Sequence, residues 1–139
     1  MVRLTSNVKQ LLMTIQRFED MVVWKEARTL CKDVYAAFQQ NTDRGFKDQI
    51  QRAAVSIMNN IAEGFDRSKF SKDNKQLISF LNIANGSCGE VKSMLYLAQD
   101  LDYLSLADAE FLRDKCLNIS SKLNNLLKTL QDNNGTNNR

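Results

Sequence analysis

Apolar residues recur every three to four positions in four separate blocks of the chain, the period of a helix that buries one face. The blocks run over about residues 22–40, 46–65, 71–101 and 105–131. Polar connections separate them, and Thr42 or Asp43, Ser71 and Ser105 are placed to cap the helices that follow. The predicted inward positions are Trp24, Ala27, Cys31, Val34, Tyr35, Phe38, Ile50, Ala53, Ala54, Ile57, Ile61, Leu77, Phe80, Leu81, Ala84, Cys88, Val91, Leu95, Leu112, Cys116, Ile119, Leu123, Leu126 and Leu130.

Short connections between long helices make sequential neighbours antiparallel. We therefore predict an all-α fold over residues 18–131, an antiparallel, left-handed four-helix bundle with up-down-up-down topology. Residues 132–139 carry no apolar side chain and are predicted to be a disordered tail. Residues 1–17 form a basic amphipathic extension, whose helical face consists of Val8, Leu11, Leu12 and Ile15. The alternative is that translation begins at Met13.

Composition supports long helices, because the 139 residues include no proline and only five glycines. No apolar run approaches the roughly 18 residues of a membrane span, so a cytoplasmic protein without membrane contact is expected. Gly86 and Gly89 lie inside the third helix, where each glycine costs about 1 kcal/mol relative to alanine. We predict that they allow close approach of the second helix at Ala53 and Ala54; a kink that contacts a ligand is the alternative.

The chain contains no histidine, which excludes Ser-His-Asp and Cys-His catalysis and histidine-ligated metal sites. Cys31, Cys88 and Cys116 are far apart and lie on apolar stripes, so we predict buried, reduced thiols. We therefore expect no enzymatic activity, no cofactor and no metal. A carboxylate enzyme or metal site around Glu63 and Glu90 is the alternative.

A polar stripe lies beside the apolar one on the second helix, and matching polar residues occur on the third. We predict a structural network that fixes helix or subunit pairing. The alternative is a ligand or cation site formed by Asn60, Glu63, Ser87 and Glu90. The predicted network consists of Arg52, Ser56, Asn60, Glu63, Ser87 and Glu90.

Several separated motifs resemble the four-helix-bundle proteins named after the 23S rRNA intervening sequence. Phe18–Trp24 (FEDMVVW) resembles that family's FEDLxVW opening, and Gln49–Phe65 (QIQRAAVSIMNNIAEGF) resembles its signature QIRRAAVSIPSNIAEGF. Phe80–Glu90 (FLNIANGSCGE) is similar to FLxIARGSxxE, and Leu101–Ser105 (LDYLS) to LGYLS. Asn85 replaces the usual arginine, and the N-terminal extension is absent from most members.

The resemblance implies a bacterial four-helix bundle that assembles as a ring, commonly a homopentamer. A related branch includes accessory proteins of diversity-generating retroelements, which bind nucleic acid and a reverse transcriptase. RNA or DNA and a reverse-transcriptase-type protein are therefore possible partners. The biochemical role of most members is unassigned, so the family name is not an activity.

The net charge of +3 resides entirely in the extension, and the bundle itself is neutral. Its charges are distributed unevenly, with acids around the connection between the third and fourth helices and lysines around the preceding connection. In the connection between the second and third helices, Phe70 is the one aromatic residue suited to base stacking. The predicted nucleic-acid-binding residues are Arg67, Lys69, Lys72, Lys75, Lys122 and Lys128. We expect a non-enzymatic, nucleic-acid-associated accessory or scaffold that reads backbone rather than sequence. A purely structural protein-protein assembly module is the alternative.

Overall fold

The computed structural model describes residues 15–71 and 73–136. A short 3-10 helix at Phe18–Asp20 precedes four α-helices, which are α1 (Val22–Ala37), α2 (Arg44–Ser68), α3 (Lys75–Asp100) and α4 (Leu106–Thr136). No strand occurs within the described ranges. Contacts join α1 to α2, α2 to α3, α3 to α4 and α4 to α1, so the four helices enclose one core. The predicted all-α bundle is confirmed.

Side-chain pairs across the helix seams link early residues of one helix to late residues of its neighbour. Between α2 and α3, Gln49 contacts Glu90, and Ser56 contacts Ser87. Between α1 and α4, ion pairs join Glu26 to Lys122 and Asp33 to Lys115. This pairing is compatible with the predicted up-down-up-down order, and the left-handed sense of the bundle stays a prediction.

The buried face of each helix follows the predicted apolar stripe with two exchanges, and Phe80, which was predicted to face inward on α3, is only partly buried. On α1, Leu30 is fully buried while Tyr35 is 48% exposed. On α4, Leu127 is buried and Leu126 only partly so. A helix of 3.6 residues per turn drifts against a strict seven-residue repeat, so the core-facing position shifts by one residue after Leu123. Every predicted core position on α2 is buried.

Two of the predicted caps form, and one does not. Asp43 caps α2 by accepting a hydrogen bond from the backbone N–H of Phe46 at 3.1 Å. Ser105 caps α4 through Asp108 N–H, also at 3.1 Å. Ser71 instead donates to Asp73 at 3.2 Å, and α3 begins only at Lys75. The local Ser71–Asp73 hydrogen bond competes with helix formation, which explains the later start.

The fourth helix is longer than the sequence predicts. It continues through Thr136, five residues into the segment predicted as a disordered tail. Each residue added to an existing helix contributes one backbone hydrogen bond, so a polar end can propagate past Leu130, which is buried. Residues 137–139 lie outside the described ranges, as do residues 1–14 of the predicted N-terminal extension.

The tightest backbone approach between α2 and α3 occurs at Gly64. A Cβ atom there would lie 2.7 Å from the Cβ of Phe80 and 3.3 Å from Leu77 Cδ1. At Gly86 and Gly89, no described residue comes within 4 Å of an added Cβ, so the predicted contact with Ala53 and Ala54 is wrong. Gly86 and Gly89 are themselves exposed and lie on the outer side of α3. The buried residues of this helix are Leu77, Leu81, Ala84, Ser87, Cys88, Val91, Leu95 and Ala98.

One end of the bundle is held by a contact between two turns. The Tyr103 hydroxyl donates to Asp43 Oδ2 at 2.6 Å. Phe46 packs against Tyr103, with the ring centroids 5.3 Å apart, and against Phe38 at 5.4 Å. The hydrogen bond lowers the pKa of Asp43 and raises the pKa of Tyr103. Since Asp43 also caps α2, its carboxylate joins the start of that helix to the α3–α4 turn.

Candidate functional site

The predicted nucleic-acid-binding residues begin at the C-terminal end of α2. Arg67 pairs with Glu63 at 2.9 Å, and its guanidinium lies 5.3 Å from the Phe80 ring centroid. Lys69 pairs with Asp66 at 3.7 Å. Positive charge is favourable near a helix C-terminus because the backbone dipole places partial negative charge there. Arg67 and Lys69 therefore lie where the dipole of α2 favours positive charge, and their side chains are about half exposed to solvent.

The other predicted contacts differ in their surroundings. Lys75 and Lys128 are exposed, and no ion pair joins either to another described residue. Lys122 pairs with Glu26 across the α1–α4 seam, so it has a structural partner. Lys72 lies outside the described residues. The structure thus places Arg67, Lys69 and Lys75 around one connection, with Lys122 engaged elsewhere.

Phe70 is the most exposed large apolar side chain in the described ranges, at 93% of its accessible surface. It lies directly after Lys69 in the connection between α2 and α3. Phe65, five residues earlier, is buried and forms part of the core. Among the described residues, the Phe70 ring makes almost no contact, and it follows Lys69 directly, with Arg67 and Lys75 close in the sequence. A single exposed apolar side chain is ordinary on a protein surface, so it is the combination with these cations that makes Phe70 a candidate contact.

The predicted polar network divides into two parts. Ser56 Oγ and Ser87 Oγ lie 2.8 Å apart across the α2–α3 seam. Asn60 Nδ2 donates to the Ser56 carbonyl at 2.7 Å and to its hydroxyl at 3.0 Å. Glu63 is separate from this cluster because it pairs with Arg67. The serine–asparagine cluster satisfies polar atoms at a partly buried seam and fixes the register of the two helices.

An open polar groove of about 520 Å³ runs along the same seam. Glu90 on one wall accepts a hydrogen bond from Gln49 at 3.3 Å, and Arg52 is exposed on the other. The groove combines both charge signs with two hydroxyls and holds no cluster of acids. Within the described ranges, no group of three or more His, Cys, Asp or Glu side chains is placed to hold a metal ion. The lining residues are Gly45, Asp48, Gln49, Arg52, Ala53, Ser56, Ser87 and Glu90.

Asn85 joins α3 to α4. Its side-chain oxygen accepts from the Ser120 hydroxyl at 2.7 Å, and its Nδ2 donates to Asn124 Oδ1 at 2.8 Å. The residue that replaces the arginine of the resembled motif therefore makes intramolecular contacts. Asn85 thus links the two helices in place of a charged side chain.

The three thiols are free and buried, which confirms their predicted role in the core. Burial raises the pKa of Cys31 to about 11 and the pKa values of Cys88 and Cys116 to about 12. The thiolate is the reactive form of cysteine, so very little of any of these side chains is nucleophilic at neutral pH. None of the helices within the described ranges has a stretch long and apolar enough to cross a lipid bilayer.

These features define a helical-bundle protein with a cationic connection at one end and a polar α2–α3 seam. The model of the 23S rRNA-intervening sequence protein family matches residues 19–125. The chain belongs to this family. No curated protein sequence matches the chain.

A solved structure shares the fold. It is the crystal structure of a protein with unknown function from the S23 ribosomal protein family of Bacteroides thetaiotaomicron VPI-5482. The two chains are 22% identical with a TM-score of 0.66, over 77% of this chain and 99% of the other. The similarity extends over nearly the whole of that protein, and it shows a common bundle architecture.

Proposed function

We propose that this protein is a non-enzymatic accessory or scaffold protein that assembles as a ring and binds the backbone of RNA or DNA. The proposed contact surface is the connection between α2 and α3, with Arg67, Lys69, Phe70, Lys72 and Lys75. The observation that carries the proposal is the 93% exposure of Phe70 beside cationic side chains. Stacking on an exposed ring together with phosphate contacts is the usual basis of single-strand binding without sequence preference.

The ion pairs of Arg67 and Lys69 do not prevent phosphate binding. Both are surface pairs within one helix or at its end, and such pairs contribute only about 0.3–0.5 kcal/mol. A phosphate that brings several contacts at once can replace a carboxylate held this weakly. The family description, which names an intervening sequence of ribosomal RNA, supports RNA as the first ligand to test.

Self-association would repeat this surface around a ring. The exposed side of α3 supports such an assembly, because Gly86 and Gly89 leave it without side-chain bulk. Ile83 and Leu97 on the same helix are 49% and 46% exposed. A homopentamer built on this face would present five copies of the cationic connection, and each copy would add to the salt dependence of binding.

The direct test is binding of a generic single-stranded RNA and of duplex DNA over a range of salt concentrations. Wild-type affinity should fall steeply with salt, since counterions released from phosphates drive the binding. K69Q/K75Q should reduce the slope of log affinity against log salt concentration by about 1.4 for each chain bound to a single strand, because two phosphate contacts are lost. The matched control K32Q/R44Q removes the same charge from exposed positions on α1 and α2 and should leave the slope unchanged.

F70A separates stacking from charge. It should weaken single-strand binding with little change in salt slope, because the ring contributes no phosphate contact. If wild type retains no nucleic acid at low salt, or if K32Q/R44Q weakens binding as much as K69Q/K75Q, the proposed surface is wrong.

The second candidate function is a structural assembly module without a nucleic-acid role. The open glycine face of α3 favours it, since that face suits a protein neighbour and has no need of phosphate. A defined oligomer that binds neither RNA nor DNA would support this candidate. A reverse-transcriptase-type protein is a further possible partner of the same face, and co-purification from a co-expressing strain would test it.

A further inference from the structure

Exposed apolar side chains are concentrated around the connection between α3 and α4. Ten large apolar side chains are exposed in the described ranges, and five of them lie within residues 96–111. These five are Tyr96, Leu97, Leu101, Leu106 and Phe111, each between 46% and 58% exposed. Single exposed apolar residues are normal on a protein surface, whereas a group of them marks a contact site.

Two of the five have other roles. The Lys115 ammonium lies 4.5 Å from the ring centroid of Phe111, and Leu97 belongs to the side of α3 that we relate to assembly. The other three have no such assignment, and we call them the turn patch. The turn patch consists of Tyr96, Leu101 and Leu106.

The charge around the turn patch is negative. Residues 93–112 contain no lysine or arginine, and Arg113, the next cation, is engaged within the chain by the Tyr96 ring at 4.1 Å and by Gln99 at 3.0 Å. The acids of this segment form no ion pair with a described residue. A partner that complements this surface is therefore cationic. The four acids are Asp100, Asp102, Asp108 and Glu110.

The neighbouring α1–α2 connection does not alter this balance. The hydrogen bond from Tyr103 to Asp43 brings the two connections together. The α1–α2 connection and the first turn of α2 hold two acids and two bases, so their charges cancel. These residues are Asp43, Arg44, Lys47 and Asp48.

The α3–α4 connection is held in one conformation by several contacts. Asp102 adopts the left-handed region with φ 58°, and Tyr103 N–H donates to the Ala98 carbonyl at 2.8 Å. The Tyr103 ring packs edge-on against Phe46. A preorganised surface loses little conformational freedom on binding, so more of the contact energy appears as affinity.

We propose that the turn patch docks a basic amphipathic helix of another protein. Apolar side chains of that helix cover Leu101 and Leu106. Its lysine and arginine side chains pair with Asp100, Asp102 and Glu110. Phosphate carries the same sign of charge as this surface and is repelled by it. The proposal is independent of nucleic-acid binding, which we assign to the α2–α3 connection.

The probe is a short fluorescein-labelled peptide of leucine and lysine, arranged with helical periodicity. The same peptide with glutamate in place of lysine is its charge-reversed counterpart. Fluorescence anisotropy with the full chain should detect binding of the lysine peptide, and added salt should weaken this binding. The glutamate peptide should not bind.

Two pairs of variants test the apolar contact. L101Q/L106Q should weaken binding of the lysine peptide by about tenfold or more, because two leucines no longer bury apolar surface. The control V22Q/Y35Q removes two side chains of similar exposure, 55% and 48%, from α1 and should match wild type.

A second set of variants tests the charge. D100N/E110Q should weaken binding of the lysine peptide by about fivefold at low salt and reduce its salt dependence, because two exposed ion pairs are lost. The control D20N/D132N removes the same charge from exposed positions outside the turn patch and should match wild type.

Failure of wild type to bind the lysine peptide, equal affinity for the two peptides, or an equal loss of binding in the control variants would overturn the proposal. So would self-association of wild type at low salt that both K69Q/K75Q and D100N/E110Q abolish, because a second copy would then be the occupant. L106A provides a milder variant should L101Q/L106Q lose helical circular dichroism. The proposal requires that L106A also bind the lysine peptide more weakly than wild type.

Discussion

Gly64 on α2 and the pair Gly86 and Gly89 on α3 are all glycines inside helices, yet their surroundings are opposite. An added Cβ at Gly64 would lie 2.7 Å from Phe80 Cβ, whereas at Gly86 or Gly89 it would meet no atom within 4 Å in the part of the chain that the structure describes. The cost of Gly64 to helix stability is offset inside the chain by the close approach of α3. The cost of the other two has no such compensation within the described residues.

This difference distinguishes a glycine that serves packing within the chain from two glycines that we relate to assembly with another chain. Glycine in a helix interior is disfavoured by about 1 kcal/mol relative to alanine, so its presence needs a reason. At Gly64 the reason is the packing of α2 against α3. At Gly86 and Gly89 we infer that the reason is a neighbour outside the chain, which approaches the exposed side of α3 closely.

The largest effect is expected from G64A. The new methyl group would overlap Phe80 Cβ, which cannot move without displacing the backbone of α3. We expect the free energy of unfolding to fall by roughly 2–3 kcal/mol, as for an overpacked core. Urea denaturation measures the change. G45A is the control, since its nearest contact would be an ordinary 3.8 Å from an Asp43 side-chain oxygen. A neutral G64A would show that the seam is looser than the structure indicates.

A smaller effect of opposite sign is expected from G86A and G89A. Each alanine removes backbone freedom from the unfolded chain without meeting any described atom, so unfolding of the monomer should cost about 1 kcal/mol more per substitution. The measurement is urea denaturation at a concentration where the chain is monomeric. A loss of monomer stability at either position would place these glycines in a contact inside the chain and remove the contrast with Gly64.

Asp102 is the converse case, a residue that occupies a position suited to glycine. Its φ is 58°, in the left-handed region, at the C-terminal end of α3. Tyr103 N–H donates to the Ala98 carbonyl at 2.8 Å, and Asp102 N–H to the Gln99 carbonyl at 3.1 Å, which is a Schellman motif. D102G should raise the free energy of unfolding by roughly 0.5–1 kcal/mol, because glycine adopts this φ without steric cost.

D102N separates two contributions to the stability gain expected from D102G, the relief of backbone strain and the removal of a negative charge. Asparagine removes the negative charge from the helix C-terminus and keeps a Cβ, so it should recover only the electrostatic part. Thermal unfolding of the two variants side by side provides the measurement. If D102G is no more stable than wild type, backbone strain at this turn is not a significant factor.

The smallest effect is expected at the turn that Asp43 and Tyr103 join. Y103F removes the donor to Asp43 and should lower stability slightly near neutral pH. The pKa of Asp43 is lowered in the fold, so its contribution is present above the unfolded-state pKa of about 3.9 and is lost as pH falls through the folded value. The pKa of Tyr103 is raised, so its contribution is present below about 10 and is lost as pH rises through the folded value.

The stability difference between wild type and Y103F should therefore shrink towards both ends of this pH range. Thermal unfolding at pH values from below about 3.9 to above about 10 would measure this change. A difference that persists in acid would mean that packing of the ring, and not the hydrogen bond, explains the effect.

Periodicity alone was sufficient to predict the helices and most of the core, because burial on one helical face repeats every 3.6 residues. The phase of α3 also contained the information that Gly86 and Gly89 lie off the buried stripe. The prediction failed there because it attributed Gly86 and Gly89 to close approach of the second helix. The register between α2 and α3 could not be predicted, since it depends on the contact of Gly64 with Phe80, which one helix's pattern does not specify.

The candidate site was predictable to a similar extent. Glu63 and Arg67, four residues apart, and Asp66 and Lys69, three apart, have the spacing of helical ion pairs, so their pairing could have been anticipated. The ion pair between Lys122 and Glu26 depends on which helices are neighbours and was not predicted. Phe70 was singled out as suited to base stacking, but the extent of its exposure could not be predicted, because a single aromatic residue in a connection carries no periodic signal.

Native mass spectrometry of wild type and G86L tests whether the exposed side of α3 is an assembly face. A Cβ at this position would have no described atom within 4 Å, and a leucine side chain would occupy the face that we assign to a neighbour. Wild type should give one closed oligomer, five times the 15.9 kDa chain, and G86L should give a folded monomer. An oligomer of unchanged mass and stability in G86L, or a wild-type monomer, would show that the exposed side of α3 is not an assembly face.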